Sequence, residues 1–415
     1  MNPLKEIEQE VLRQAREWGR VELERRLQAQ ADQVALVCPK SGNPLTDTRY
    51  RQLRLRTVGG SVCLRVRVGY SASAGRWVHP AREAWGLAPY QQVSPELQAR
   101  VCQTATLTAS YEGAVEAARC WDCEISDDLI HRHVQQVGAR AGAGEPLPAP
   151  PSPQQEVFSL VIMMDGWMVR ERGPDWGASR RRRKATERIA WREVKSAVIY
   201  RLDQAVTTGQ GRGLLLEKYV VATPPETAPV DFGAAVQAEA MRRGLARAKR
   251  VYVVMDGALW LWNLARDRFA EATLILDFHH AREHLMAVGQ LLHEEDPETV
   301  RRWVDPLIDQ LKKGKEQRVV ATLEELLTEP SQRNEAQQAT LEREVRYLKG
   351  HHDHMHYQRW RRSKIPCGSG AVESLGLQLQ RRFRTCGQFW RRPGLSHLLA
   401  LAVHFRNKDQ THLWN

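Results

Sequence analysis

The spacing of apolar positions changes period several times along the chain. Residues 157–164 form a mainly apolar run of strand length, and 193–202 and 217–222 read as two further strands. Residues 232–248 have helical spacing. Residues 250–255 are another buried strand, followed by helix from Trp260. Leu274-Ile275-Leu276 is a short strand that runs into helix after Asp277. Residues 284–350 read as almost continuous helix, divided at Asp296-Pro297, Gly314 and Glu329-Pro330-Ser331. Strands interleaved with helices predict an α/β region that runs into an all-helical stretch.

The first third of the chain has a different pattern. Residues 4–36 predict a helix whose apolar positions are Leu4, Ile7, Val11 and Leu12, with Glu6, Arg13 and Glu17 facing away. A β-ribbon follows: Leu53 and Leu55 alternate with Arg54 and Arg56, and Gly59-Gly60 signals a turn. Val62, Leu64, Val66 and Val68 then alternate with Cys63, Arg65 and Arg67. One ribbon face is thus apolar and the other basic. Residues 95–140 return to helix, and Ser126 ahead of Asp127-Asp128 marks a helix start. Helix, turn and second helix resemble a helix-turn-helix, with Arg132, Gln135, Gln136 and Arg140 as candidate DNA-reading side chains. Residues 141–155 hold five prolines and two glycines and read as a linker.

Composition narrows the partners. The 415 residues carry 61 Lys plus Arg against 49 Asp plus Glu, a formal charge of +12, which favours a polyanionic partner, with nucleic acid ahead of an acidic membrane surface. No apolar run approaches the ~20 residues that span a bilayer. The opening residues lack the apolar core of a secretion signal, and seven cysteines are an odd number, so the expectation is a cytoplasmic chain with reduced thiols.

The charge is concentrated. Residues 359–408 contain eleven Lys and Arg and one acid, Glu373, so this segment holds +10 of the +12. Glu373 lies in Gly368-Ser369-Gly370-Ala371-Val372-Glu373-Ser374, at the opening of a helix. Two apolar strands end in Asp-Gly: Met164-Asp165-Gly166 and Met255-Asp256-Gly257. An acid at a strand exit stands where α/β sheets place their sites. Phosphodiester cleavage needs charge stabilisation at both the attacking and the leaving oxygen, and two hard cations held by a few carboxylates supply it. Arginines and lysines around them would hold the phosphates.

In order and spacing these motifs resemble bacterial insertion-sequence DDE transposases of the ISKra-type and Mutator-like groups. The residues that carry the resemblance are Met164-Asp165-Gly166, Val254-Met255-Asp256-Gly257-Ala258-Leu259-Trp260-Leu261-Trp262, Leu276-Asp277-Phe278-His279-His280 and the 366–374 helix start. The resemblance spans residues 95–415. It implies an RNase H-like catalytic domain with Asp165, Asp256 and Glu373 as ligands of two Mg²⁺ ions, Mn²⁺ being an accepted substitute. Asp277, also following an apolar strand, is the alternative second acid. The implied reaction is metal-dependent hydrolysis at the element's ends, then attack of the freed 3′-OH on target DNA. The partners would be double-stranded DNA, both terminal inverted repeats and target, and at least a second copy of the chain. The alternative is a catalytically inactive or domesticated derivative that only binds DNA.

The implied organisation is an N-terminal helix and ribbon over 1–94, a helix-turn-helix-like region over 95–140, and the linker. A catalytic core over 156–283 and 351–415 then flanks a helical insertion at 284–350. Relatives often carry a cysteine zinc ribbon near the N-terminus. Here only Cys38-Pro39-Lys40-Ser41 and Tyr70-Ser71-Ala72-Ser73 stand in its place, which makes zinc unlikely because a Cys₄ site needs four thiolates.

Further candidates for DNA contact are Arg181 and Arg182 between the first two strands, and Arg381, Arg382, Arg384, Arg391 and Arg392 near the C-terminus. Trp390, beside the last two, is a candidate for stacking on an unpaired base. His280-Ala281-Arg282-Glu283-His284 fits an inverted zinc-peptidase pattern but leaves the basic charge unexplained. The histidines of 351–356 read as a polar segment, and Cys120 and Cys123 as small core residues.

Overall fold

The computed structural model describes residues 2–143, 157–173, 188–210, 213–293, 296–328, 333–409 and 411–414. Arg181, Arg182 and all of the predicted linker beyond residue 143 lie outside them. The chain divides into two units, 1–141 with 408–415, and 142–407. The ribbon and the 95–140 helices therefore share one unit, and the last residues of the chain belong to it too. No helix among the described residues is long and apolar enough to cross a membrane.

In the first unit α1 (Pro3–Gln33) begins with Asn2 capping the Leu4 amide and proline at the first helical position. Strands β1 (Thr46–Thr57) and β2 (Gly60–Ser71) pair antiparallel with Thr57 opposite Gly60. Gly60 takes φ +113°, which a β-carbon would disfavour. Leu53, Leu55, Val62, Leu64 and Val66 are buried together with Ala31, and Leu23 and Leu27 of α1 pack on them. Arg54, Arg56 and Arg65 are exposed on the opposite face. The expected apolar stripe of α1 is only half used. Leu4, Ile7, Val11 and Leu12 are 63%, 62%, 58% and 54% exposed, because the ribbon meets only the helix's second half. There Glu24 accepts the Cys63 amide and Gln28 bonds both backbone groups of Arg65, which caps the free edge of β2.

Short β3 (Arg76–Val78) extends the ribbon on β2. The turn before β1 and the turn between β2 and β3 bring Cys38, Ser41, Ser71 and Ser73 together. Ser73 Oγ lies 2.8 Å from Ser41 Oγ and 3.1 Å from Ser71 Oγ. Cys38 is buried, and hydrogen bonds from the Ser71 and Ser41 hydroxyls, then from the Ser41 and Lys40 amides, bring its thiol down to about 6. Four helices complete the unit: α2 (Pro80–Ala84), α3 (Pro95–Leu107), α4 (Tyr111–Arg119) and α5 (Asp127–Ala143). Ser126 caps α5 through the Leu129 amide. Cys120 is exposed in the turn after α4 rather than in a core. A 3₁₀ turn, Thr411–Trp414, lies against α3 with Leu413 buried.

In the second unit, β4 (Ser159–Arg172) and β5 (Ile189–Arg201) form a long antiparallel hairpin. Strands β6 (Ala205–Thr207) and β7 (Gly213–Leu215) make a small separate ribbon. Strands β8 (Tyr219–Thr223), β9 (Arg250–Met255) and β10 (Thr273–Leu276) complete a five-stranded mixed sheet. Its order is β10-β9-β4-β5-β8, with β4, β9 and β10 parallel and β5 antiparallel to both its neighbours. Helices α6 (Pro229–Arg242) and α7 (Leu259–Arg268) pack on one another between the strands of the chain. Then come α8 (Phe278–Leu292), α9 (Pro297–Lys312), α10 (Glu316–Thr328), α11 (Glu335–Gly350) and α12 (Tyr357–Arg362). α13 (Gly370–Phe383) and α14 (Arg392–Asn407) end the unit. Asn407 bonds both backbone groups of Val220 and closes the outer edge of β8.

Candidate functional site

Register places the acids. Met164 pairs with Met255, and Met255 with Leu276. The next residues are Asp165, still within β4, and Asp256 and Asp277, just past the ends of β9 and β10, so the three aspartates follow paired positions on neighbouring parallel strands. Asp165 is not at a strand exit, as the apolar run suggested, but inside β4. The strand continues because β5 still pairs with it and Trp167 and Val169 remain buried, while Met168 faces outward.

Alternation puts Asp165 and Trp167 on the same sheet face. That face is covered by α13: Phe383 packs 6.1 Å from the Trp167 ring. The first turn of α13 carries Glu373. Burial raises the Asp165 carboxyl to about 6, and the charges of Asp256 and Glu373 add to this. The Gly166 amide and the His280 charge oppose it. Asp256 and Glu373 are therefore both close enough for their charges to act on Asp165.

Asp256 and Asp277 have different surroundings. Asp256 is half-buried, and its Oδ1 accepts the Ala258 amide at 2.9 Å. Asp277 is fully buried and caps α8 through the His280 amide at 3.0 Å. Its other oxygen accepts both the amide of Ser369 and, at 2.6 Å, its hydroxyl. Despite burial, these bonds and the His280 ring hold Asp277 well below the usual carboxylate range. Asp277 raises the His280 imidazole to about 9. Asp277 thus acts as a buried strut joining α8 to the start of α13.

Ser369 was embedded in the quoted motif but not singled out. Its Oγ also lies 2.5 Å from Glu373 Oε1. A hydroxyl has one proton, so it serves only one of the two carboxylates as a donor. A positive charge beside Glu373 would relieve the other contact.

Tyr347 was also missed. It sits on α11, and a β-carbon at Gly257 would fall on its ring. It stacks on His284 at 3.6 Å, and His284 pairs with Glu344. His280 and His284 therefore engage different carboxylates. His351 and His354 pack on Trp262 at 4.4 and 4.5 Å.

Among the described residues no three His, Cys, Asp or Glu side chains are gathered as a closed metal cage. The donor chemistry nevertheless fits a hydrated divalent cation. All the groups are oxygen donors, Asp165 ionises against the charges of Asp256 and Glu373 and so calls for a counter-charge, and Mg²⁺ keeps several waters with only one or two carboxylates.

The predicted basic contacts divide by exposure. On α5, Arg132, Gln136 and Arg140 are exposed and four residues apart, while Gln135 is half-buried. Arg381, Arg384, Arg391 and Arg392 are exposed. Arg382 and Trp390 are not, at 2% and 7%. Trp390 bonds the Phe383 carbonyl and bridges the edge of β4, so its ring has no free face for a base. The exposed aromatic nearby is Trp191, which is 50% exposed and flanked by the guanidiniums of Arg170 and Arg384 at 5.7 and 5.1 Å.

No protein-family model matches the chain, and no curated protein matches it.

Proposed function

We propose that this chain is a DDE-type DNA transposase that hydrolyses phosphodiester bonds at the ends of an insertion sequence and joins the freed 3′-OH to target DNA. The observation that carries this reading is the placement of Asp165, Asp256 and Glu373: two adjacent parallel strands and one helix over the same sheet face. A mixed five-stranded sheet with an antiparallel second strand supports an RNase H-like core.

Mg²⁺ held by Asp165, Asp256 and Glu373 would supply charge stabilisation at the attacking and leaving oxygens, and Mn²⁺ would substitute. The protein's own residues supply the frame. Asp277 and Ser369 fix the start of α13, and so the place of Glu373, while Gly257 lets α11 approach the Asp256 turn. Exposed arginines beyond α13 hold the phosphates. Arg132, Gln136 and Arg140 read the terminal repeats from α5 in a helix-turn-helix-like manner. The working species is a dimer or larger assembly on DNA in the cytoplasm, associated with the nucleoid.

A plasmid bearing the DNA that flanks the gene, incubated with Mg²⁺, tests this. Wild type nicks it at the element's ends. Asp165→Asn, Asp256→Asn and Glu373→Gln each lose at least ~100-fold, since even the loss of outer metal-site partners costs ~10–100-fold. Unchanged cleavage by these variants overturns the assignment. Ser41, Ser71 and Ser73, gathered beside Cys38 where the relatives' zinc ribbon would place cysteines, favour a second reading, a transposase-derived DNA-binding protein without catalysis. Sequence-specific binding with no cleavage by wild type selects it.

A further inference from the structure

Helix α1 carries an apolar seam that its own unit leaves uncovered. Leu4, Val11 and Trp18 recur at every seventh residue, and Ile7, Gln14 and Val21 recur in the same way between them. Spacings that alternate between three and four in this manner mark the seam of a coiled coil. The seam continues beyond the exposed residues of the first turns to Trp18 and Val21, which are 72% and 50% exposed, and Gln14 is exposed too. Leu23 and Leu27, which pack on the ribbon, lie on roughly the opposite side of the helix at ~100° per residue. The ribbon therefore leaves the seam open even where it meets α1.

Charge and pattern identify the occupant. From Pro3 to Val21 the helix holds Lys5, Arg13, Arg16 and Arg20 against Glu6, Glu8, Glu10 and Glu17, a net of zero in a chain of +12. A neutral helix offers no attraction to a nucleic-acid backbone or an anionic membrane. The seam matches itself instead. In a parallel pair each seam residue meets its own copy. β-Branched Val11 then stands at a position that favours two strands, and Gln14 faces a second Gln14 whose amide can both donate and accept. An antiparallel pair would set Gln14 against Val11 and leave the amide unmet. Glu17 and Glu22, which flank a parallel seam, are each already paired, with Arg20 at 2.6 Å and with Arg25 and Arg26 at 2.7 Å. At on the order of 100 Å² for each apolar side chain, two copies would hide roughly 1,000 Å² from the seam alone, the floor for a specific interface.

We propose that α1 is a self-association surface, on which a second copy of this chain lays its own α1 in parallel register. The contact requires neither DNA nor catalysis and so goes beyond the reading above.

Sedimentation of the full chain without DNA, in EDTA, over roughly 1–100 μM tests this. Wild type should move from 47.4 kDa toward twice that mass as concentration rises. Val11→Glu/Trp18→Glu should raise the dissociation constant at least ~30-fold, as loss of a central interface anchor does. Because both side chains are exposed, this variant should melt like wild type. Leu12→Glu makes the same change of charge at an exposed position off the seam, and should leave association unchanged. Under mild oxidant, Ile7→Cys should give a crosslinked dimer above the wild-type background. A wild type that stays monomeric throughout overturns the proposal, as does a double variant that associates normally. Equal weakening by Leu12→Glu overturns the seam, and an Ile7→Cys chain without added crosslinking overturns the parallel register. A monomer in this assay strikes the α1 contact alone, whereas failed strand cleavage by an associating chain strikes the transposase reading alone.

Discussion

Two clusters of chemically able side chains, one in each unit, are resolved in opposite ways. Around Cys38, hydroxyls of Ser41, Ser71 and Ser73 bond to one another and to the thiol, so the turns supply their own partners. At the sheet, burial and the charges of Asp256 and Glu373 work against ionised Asp165 instead, and His280 brings a positive charge toward it. The first cluster is complete as it stands. The second becomes comfortable only when a cation or a proton arrives. A cluster left in electrostatic debt is the better sign of function, since repulsion between carboxylates persists only where a ligand or a reaction uses it.

The contrast breaks first, and hardest, at Asp277. It is the satisfied member of the aspartate row, so Asp277→Ala should cost about 3–5 kcal/mol, the usual range for removing one partner of a buried ion pair. Chemical denaturation of the full chain measures it. A loss under 1 kcal/mol would mean that Asp277 is a ligand site like its neighbours rather than a strut.

A pH series sharpens the difference next. Asp165 holds its proton more tightly folded than unfolded, so the second unit loses stability as pH rises from 3.8 to about 6, by about 3 kcal/mol in all. Asp165→Asn should remove that slope and stabilise the metal-free chain at neutral pH. In the first unit buried His133, hydrogen-bonded to Gln98 at 2.8 Å, is lowered to about 4 by desolvation. Stability there falls instead as pH drops from 6.5 to about 4, again by about 3 kcal/mol. Hydrogen exchange resolved by segment separates the two slopes. Parallel slopes would dissolve the comparison. The smallest effect is expected at Ser71→Ala, about 1 kcal/mol for its hydroxyl bonds. A neutral result by thermal melting would mean that the hydroxyl network adds nothing to the ribbon.

Much of this was readable in the residues. The ribbon alternation around Leu53 and Val62, the strand at 250–255 and the Ser126 cap all depend on neighbours within a few residues, and all are found where local periodicity put them. What escaped depends on pairing between distant segments. The alignment of Asp165, Asp256 and Asp277 is a statement about register, which no single segment contains. Trp390 read as an exposed aromatic because its basic neighbours are exposed; its burial comes from an edge bridge to Glu171, far away in sequence. Arg382 is hidden for a similar reason, beneath the same tryptophan at 5.3 Å. The unused apolar half of α1 is the converse case, since periodicity announces a face but not what covers it.

Residues 408–415 return to the unit in which the chain began. The second unit is thus an excursion, entered and left through two covalent crossings. A deletion meant to trim the carboxylate-bearing part from its far end would first strip Leu413 from the other body. Clean separation of the two by genetic engineering therefore requires cutting the polypeptide twice and rejoining the outer pieces.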